Sequence, residues 1–216
     1  MHIKRNRAPT KWPIPRKGST FVVRPSHALS KGIPLLIVLR DVLKIARIRK
    51  EVKYMLTNGM VLVNSKERKD EKFPLQLFDT LTLKNSNQNF RLEVVNRKFQ
   101  LVEIKKEEAS KKIVKVIGKK ILKNKKVQIN LDDGHNFLTK HKFSVGDSAV
   151  IDLAKGKVER ILPLKKGAQV EVIGGKHAGE RGELIKVEEL KRGRMYVIKI
   201  GEKEVKLPLK TLLVIG

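Results

Sequence analysis

The sequence predicts an α+β chain that is mostly β, laid out as a basic N-terminal arm (residues 1–33), a helix-helix-sheet module (34–104), a linker (105–112), a central small β domain (113–164) and a small C-terminal barrel (165–216). Three observations predict it. Helical periodicity is confined to one stretch, Pro34 to Asn58. Most of the chain beyond it consists of short β-branched and aliphatic runs divided by Gly, Asp and Asn turns. The opening segment holds prolines and cations but few apolar side chains, whereas the whole chain of 216 residues is 40% apolar, enough for two or three compact modules.

The arm carries His2, Lys4, Arg5, Arg7, Lys11, Arg16, Lys17 and Arg24, punctuated by Pro9, Pro13, Pro15 and Pro25. Prolines fix φ and remove donors, which excludes a helix, and the sparse apolar residues cannot offset chain entropy. The segment is therefore expected to order against a partner, with Trp12 pinning it to the domain behind.

From Pro34, the residues Leu35, Leu36, Leu39, Val42, Leu43 and Ala46 fall within a stripe of roughly 120°, one amphipathic helix with Pro34 at its first turn. A second helix runs from about Ile48 to Asn58, with Ile48, Val52, Met55 and Leu56 on one side and Gly59 as its stop. Arg49, Lys50 and Lys53 gather on another flank of that helix. Strands are expected at Met60–Val63, Thr80–Leu83 and Phe90–Val95, with a polar turn at Asn64 and Ser65. Lys105–Lys112 is all charge, Ala and Ser, a linker or a solvated helix.

Beyond it, Ile113–Ile117, Val127–Leu131, Ser148–Asp152 and Val158–Ile161 read as strands split by Asp133-Gly134, Val145-Gly146-Asp147 and Lys155-Gly156-Lys157. Val170–Ile173, Gly182–Glu188, Tyr196–Ile200, Glu204–Leu207 and Leu212–Ile215 continue the rhythm into a five-strand barrel.

Charge sets the class of partner. Against 49 Lys and Arg stand 22 Asp and Glu, a formal net charge of +27, far more than solubility needs. Pairing such a surface with phosphates relieves its self-repulsion and releases counterions, so a nucleic acid is the expected partner. The longest apolar run, Ile33 to Leu39, is less than half of the roughly 20 residues a spanning helix needs, and it lies too far from Met1 to be a secretory signal. A cytoplasmic chain with no membrane partner is expected.

With no cysteine, thiolate metal sites and Cys nucleophiles are excluded, and the five His residues show no His-Glu-x-x-His spacing. No metal, cofactor or small-molecule substrate is expected. Gly174-Gly175-Lys176-His177 lacks the spacing and the hydroxyl of a phosphate-binding loop. Asp132 and Asp133, followed by Gly134, make a hairpin turn more simply than a carboxylate pair. His135, His141, Ser144 and Asp147 include the ingredients of a triad without a nucleophile elbow.

Two motifs and a scatter of shorter matches carry a family resemblance. The stretch Arg47-Ile48-Arg49-Lys50-Glu51-Val52-Lys53-Tyr54-Met55-Leu56-Thr57-Asn58-Gly59-Met60-Val61-Leu62-Val63-Asn64 resembles the S4-type RNA-binding module. There a helix pair packs on a small curved sheet, and the resemblance implies that the second helix turns its basic side to RNA phosphates. Ser65 stands where such modules commonly have Gly. Val170-Glu171-Val172-Ile173-Gly174-Gly175-Lys176-His177-Ala178-Gly179-Glu180-Arg181-Gly182 resembles the KOW motif of SH3-like ribosomal and transcription-factor barrels. Gly174, Gly179 and Gly182 would permit tight reversals and close backbone approach, leaving Lys176, His177 and Arg181 at an exposed tip.

To these add His2-Ile3-Lys4-Arg5, Ala8-Pro9, Trp12, Leu39-Arg40-Asp41-Val42-Leu43, Phe73-Pro74, Phe90-Arg91-Leu92, Val116-Ile117-Gly118-Lys119 and Val127-Gln128-Ile129-Asn130-Leu131-Asp132-Asp133-Gly134. Across essentially its whole length the chain is similar to the archaeal and eukaryotic type of ribosomal small-subunit protein four. The resemblance implies a structural, non-enzymatic constituent of the small ribosomal subunit, with ribosomal RNA and neighbouring ribosomal proteins as partners. It implies RNA contacts by the arm cations His2, Lys4, Arg5, Arg7, Lys11, Arg16, Lys17 and Arg24, by Arg40, Arg47, Arg49, Lys50 and Lys53, and by Lys176, His177 and Arg181. Aromatic residues are 5%, so base stacking is expected to be minor. The rival readings are a KOW-bearing assembly or transcription factor and an RNA-modifying enzyme with an appended S4-type module.

Overall fold

The computed structural model of the chain describes residues 2–122, 126–190 and 193–216. They form two compact units, Met1–Val94 with Lys98–Ser110, and Val95–Arg97 with Lys111–Gly216. The architecture is mostly β with few helices.

In the first unit the opening segment folds on itself. Strand β1 (His2–Lys4) pairs antiparallel with β2 (Phe21–Val23), His2 opposite Val23. Between them the Arg5 guanidinium donates to the Ser19 carbonyl (2.7 Å), the Pro15 carbonyl (2.9 Å) and Ser19 Oγ (2.7 Å). Arg16 reaches the carbonyls of Asn6 and Ala8, each at 3.2 Å. Trp12 is buried, and its Nε1–H donates to the Gly32 carbonyl at 2.9 Å. The segment expected to order against a partner thus also makes hydrogen bonds of its own within the chain. The apolar area is small, but guanidinium forks satisfy loop carbonyls that proline-rich backbone cannot pair with itself.

Strand β3 (Gly32–Pro34) pairs with β6 (Pro74–Gln76) so closely that a Cβ on Gly32 would lie 2.9 Å from the Leu75 carbonyl oxygen. Helix α1 (Leu35–Ile37) then widens into a π-helical turn over Val38–Val42. Leu43 N–H bonds the Val38 carbonyl (2.9 Å), and Lys44 takes a φ of 55°. A regular amphipathic helix to Ala46 was the reading from periodicity. It fails because Leu35 to Leu39 are all buried, so apolar positions do not mark one face.

Helix α2 (Arg49–Thr57) matches its sequence better, with Val52 and Leu56 buried and Gly59 at φ 65° closing it. Ile48, expected on the buried face, is 52% exposed because it sits in extended backbone at the N-cap.

The helices accompany a five-stranded sheet in the order β5-β4-β7-β8-β9, comprising β4 (Val61–Val63), β5 (Lys66–Glu67), β7 (Thr80–Leu83), β8 (Gln88–Val95) and β9 (Lys98–Glu103). Val61, Val63, Leu81 and Leu92 fill its core face. The β4–β5 turn places Asn64 and Ser65 both at positive φ. The Asn64 side chain donates to Asp79 (2.8 Å) and accepts from Thr80 N–H (3.0 Å). The charged stretch after β9 contains a short helix, α3 (Lys106–Ala109), whose Ala109 is buried.

The second unit holds two five-stranded antiparallel sheets. One has the order β12-β11-β10-β13-β14, with β10 (Lys111–Ile121), β11 (Val127–Leu131), β12 (Asn136–Thr139), β13 (Ser148–Asp152) and β14 (Lys157–Leu162). Its core is Val114, Val116, Ile129, Leu131, Phe143, Ala149 and Ile151. Strand β10 starts at Lys111, ahead of the expected Ile113. Lys112 can enter the sheet because its ammonium meets the buried Asp133 carboxylate at 2.8 Å. Asp133 also accepts from His135 N–H (3.0 Å). Burial works against its ionised form, but Lys112 and that hydrogen bond hold its pKa below the ordinary value. Among the described residues this sheet also gains β12, which the sequence reading left out.

The other sheet has the order β18-β17-β16-β15-β19, with β15 (Gln169–Val172), β16 (Arg181–Leu190), β17 (Gly193–Ile200), β18 (Lys203–Pro208) and β19 (Leu212–Val214). Val170, Val172, Leu184, Tyr196, Ile198, Leu212 and Val214 make its core. Lys115 of β10 ties the two sheets, its ammonium donating to the carbonyls of Leu209 and of Leu212 (2.9 Å). Ser148 Oγ accepts from Val214 N–H at 3.0 Å beside it. Burial lowers the Lys115 pKa to about 8.

Candidate nucleic-acid interface

Helix α2 is the best defined cationic surface of the first unit. With Val52 and Leu56 turned inward, the 3.6-residue period leaves Arg49, Lys50 and Lys53 exposed. Glu51 does not oppose them on that face. Its carboxylate caps the helix, accepting from Arg47 N–H (2.6 Å) and Ile48 N–H (3.3 Å), and those bonds lower its pKa.

The three cations are not equivalent. Arg49 Nε–H donates to both oxygens of Glu71, at 3.0 and 2.9 Å, and a terminal nitrogen of the same fork makes a further, short contact. Glu71 is 5% exposed. The hydrogen bond from Arg49 holds its carboxyl below the ordinary value despite burial, and raises the Arg49 pKa in turn. Arg49 thus neutralises a buried acid while its own side chain stays 55% exposed. Lys50 and Lys53 supply the surplus charge.

Nearby, Arg40 forms a two-pronged pair with its neighbour Asp41 (2.9 and 2.8 Å) and is half-buried, and Arg47 is exposed. In the opening segment His2, Lys4, Arg7, Lys17 and Arg24 are exposed, His2 lying edge-on to Phe21. Arg5 and Arg16 are committed to loop carbonyls as described. Lys11 is partly buried, its ammonium 5.9 Å from the centre of the Phe99 ring, and burial lowers its pKa.

In the second unit the loop between β15 and β16 carries Lys176 at an exposed tip. Gly175 and Gly179 turn it, at φ 86° and 94°. Gly182 lies where a Cβ would be 2.3 Å from the Lys199 carbonyl oxygen, the close approach expected of it. Gly174 has neither a left-handed φ nor a crowded Cβ position, so its expected role passes to Gly175. His177 Nδ1 pairs with Glu180 at 2.9 Å, and Arg181 Nε–H donates to the buried Glu171 at 2.9 Å. Of the three expected tip residues, two are held against acids.

The structure therefore gathers Arg49, Lys50 and Lys53 on one helix, and places Lys176 and His177 in one loop with Arg181 at the start of the strand that follows it, in different units. Sequence reasoning passed over Tyr54, 65% exposed one turn beyond Lys50, and an aromatic outside the apolar stripe at i+4 from a lysine could have pointed to it. It also passed over Lys119-Lys120 and Lys165-Lys166, exposed pairs legible as short basic runs. Asp147 accepts from the backbone N–H groups of Ser144 (2.7 Å) and Leu164 (2.9 Å), a loop-closing role. Among the described residues no three His, Asp or Glu side chains gather as a metal site, and no helix is long and apolar enough to cross a membrane.

Known proteins resemble this arrangement along most of the chain. Residues 86–158 match Ribosomal family S4e, residues 1–27 the RS4NT (NUC023) domain and residues 166–197 the KOW motif. Small ribosomal subunit protein eS4 of Methanocella arvoryzae is 38% identical over 194 residues, 88% of this chain and 81% of that protein. The Pyrobaculum aerophilum protein of the same name is 34% identical over 227 aligned residues, spanning 100% of this chain and 95% of its own length. The crystal structure of the 30S ribosomal protein S4e from Thermoplasma acidophilum superposes with a TM-score of 0.74 at 26% identity, covering 86% of this chain and 95% of that one.

Proposed function

The chain belongs to ribosomal family S4e, and on that premise we propose that it is a structural constituent of the small ribosomal subunit that binds and stabilises ribosomal RNA. It is not an enzyme. Its partners are small-subunit ribosomal RNA and the ribosomal proteins beside it, in the cytoplasm.

The division of labour follows the modules. Residues 34–104 act as an S4-like RNA-binding module, residues 113–164 as a central β domain and residues 165–216 as an SH3-like KOW barrel, behind a basic N-terminal segment. Lys50 and Lys53 of α2, with the outer half of Arg49, hold phosphates; exposed Lys4, Arg7, Lys17 and Arg24 and the Lys176 tip reach further RNA. Separate contacts on one chain make later ones intramolecular and raise avidity. A-form RNA has a narrow major groove, so recognition proceeds through backbone and shape.

The observation that carries this reading is the +27 charge presented on folded modules. Its test is the salt dependence of binding to small-subunit ribosomal RNA. Affinity should fall steeply, with a slope of about 0.9 per neutralised duplex phosphate and about 0.7 per single-stranded one. Salt-independent binding contradicts the proposal. Sedimentation with small subunits through a high-salt wash separates a resident component from a transient assembly factor, which would be lost.

A further inference from the structure

We propose that the groove beside α2 receives an unpaired RNA base, stacked on Tyr54, with a flanking phosphate on Lys50. The inference rests on the RNA-binding reading above and changes its mode at one point, from backbone contact to stacking.

The groove has a volume of about 560 Å³ and is lined by Ile45, Ala46, Lys50, Glu51, Tyr54 and Met55. Part of its apolar wall is open, Tyr54 being 65% exposed and Ile45 44%, while Ala46 at its base is buried. A large aromatic ring held on a rigid helix over an aliphatic floor is a stacking platform, because every base has a π-face to offer. Lys50 lies one helical turn from the ring and lines the groove with it, so a base on the ring brings a flanking phosphate within reach of its ammonium group.

Glu51 is the one acid lining the groove, and a phosphate would avoid it. Its Oε2, however, is bound by the Arg47 and Ile48 backbone N–H groups, which hold it at the helix start. The other oxygen is left to accept an amino hydrogen from the base edge. An apolar protein segment could also occupy such a groove, but the flanking Arg47, Lys50 and Lys53 on a chain of +27 favour a polyanion.

The test uses the full chain and two labelled probes, a short oligoadenylate and an RNA duplex of equal length, with binding read by fluorescence anisotropy. Tyr54→Leu keeps the apolar bulk and removes the ring. It should weaken oligoadenylate binding about tenfold and duplex binding by less than about twofold, the loss expected of one base–aromatic stack. Tyr54→Phe should bind as the parent does, and the salt slope of all three should agree, since no charge changes. An unchanged affinity for oligoadenylate in Tyr54→Leu, or an equal loss on both probes, overturns the inference and leaves the phosphate-binding reading standing. If the parent binds neither probe, that reading fails as well. Protection of the Tyr54 ring from iodination by ribosomal proteins, with none by RNA, would assign the groove to a protein and also overturn it.

Discussion

Each unit sets one exposed arginine against a buried glutamate: Arg49 meets Glu71 in the first and Arg181 meets Glu171 in the second, both through Nε at about 2.9 Å. Their surroundings differ. On α2 the arginine is followed by Lys50 and Lys53, which stay exposed, so the helix keeps a cationic surplus after the acid is satisfied. In the second unit some cations are drawn into the structure itself, Lys112 onto Asp133 and Lys115 onto two carbonyls, while Lys176 stays exposed at its loop tip. A cation's worth to an RNA partner is thus set by whether the fold has already employed it, which a count of basic residues does not register.

The sharpest way to separate fold from binding is at Gly182. Gly182→Ala puts a methyl 2.3 Å from the Lys199 carbonyl and forces β16 away from β17. The expected cost is about 3 kcal/mol, the upper end of overpacking, read as a lower denaturant midpoint. A change below about 0.5 kcal/mol, the range of ordinary surface substitutions, would show that the strands can part without loss.

Next in size is the division within the α2 flank. Arg49→Ala leaves Glu71 buried without its fork and should cost about 2 kcal/mol, the scale for an unsatisfied buried group. The pair is half-exposed on the arginine side, which holds the figure down. Lys50→Ala with Lys53→Ala should leave unfolding within about 0.5 kcal/mol while reducing the salt slope of RNA binding by nearly two phosphates' worth. Equal stability in all these variants would erase the distinction between employed and surplus cations.

The second unit offers a pH test of the same distinction. Lys115 binds its proton with a pKa of about 8, below its ordinary 10.5, because burial penalises the charged form. Between those values the unfolded chain holds more protons than the folded one, so stability rises with pH across the window. Below about 8 both states are charged and the penalty is full. The stability gap between the parent and Lys115→Met, followed by denaturant midpoints, should therefore shift in the parent's favour from pH 8 to 10.5. A flat difference would mean that the ammonium is not desolvated between the sheets.

Much of this was legible in the sequence and the remainder had identifiable reasons to escape. Thr80–Leu83 and Val127–Leu131 form the strands expected of short β-prone runs, because turn residues bound each run. The π-helical turn after α1 was hidden because residues buried on all sides carry no periodic stripe. The folded opening segment was hidden because Arg5 works through hydrogen bonds to carbonyls 10 and 14 residues away, a long-range pairing that composition does not encode. At the candidate interface, charges were visible and their partners were not: Glu71 lies 22 residues beyond Arg49, and nothing local links them.

The smallest expected effect concerns the turn that joins β4 to β5. Ser65 has a φ of 62°, in the left-handed region where a Cβ is strained. Ser65→Gly relieves about 1 kcal/mol of that strain but adds unfolded-state freedom, so a net gain of about 0.5 kcal/mol is expected. Asn64 shares the conformation at φ 51°, yet its side chain is bonded to Asp79 and to Thr80 N–H. Asn64→Gly should therefore destabilise, by about 1 kcal/mol for the hydrogen bonds lost. Opposite signs at two adjacent residues with like backbone geometry, measured as denaturant midpoints, would establish that strain governs one position and side-chain bonding the other. A loss in both would mean that the Ser65 backbone is unstrained there, and the turn would owe its shape to the strands on either side.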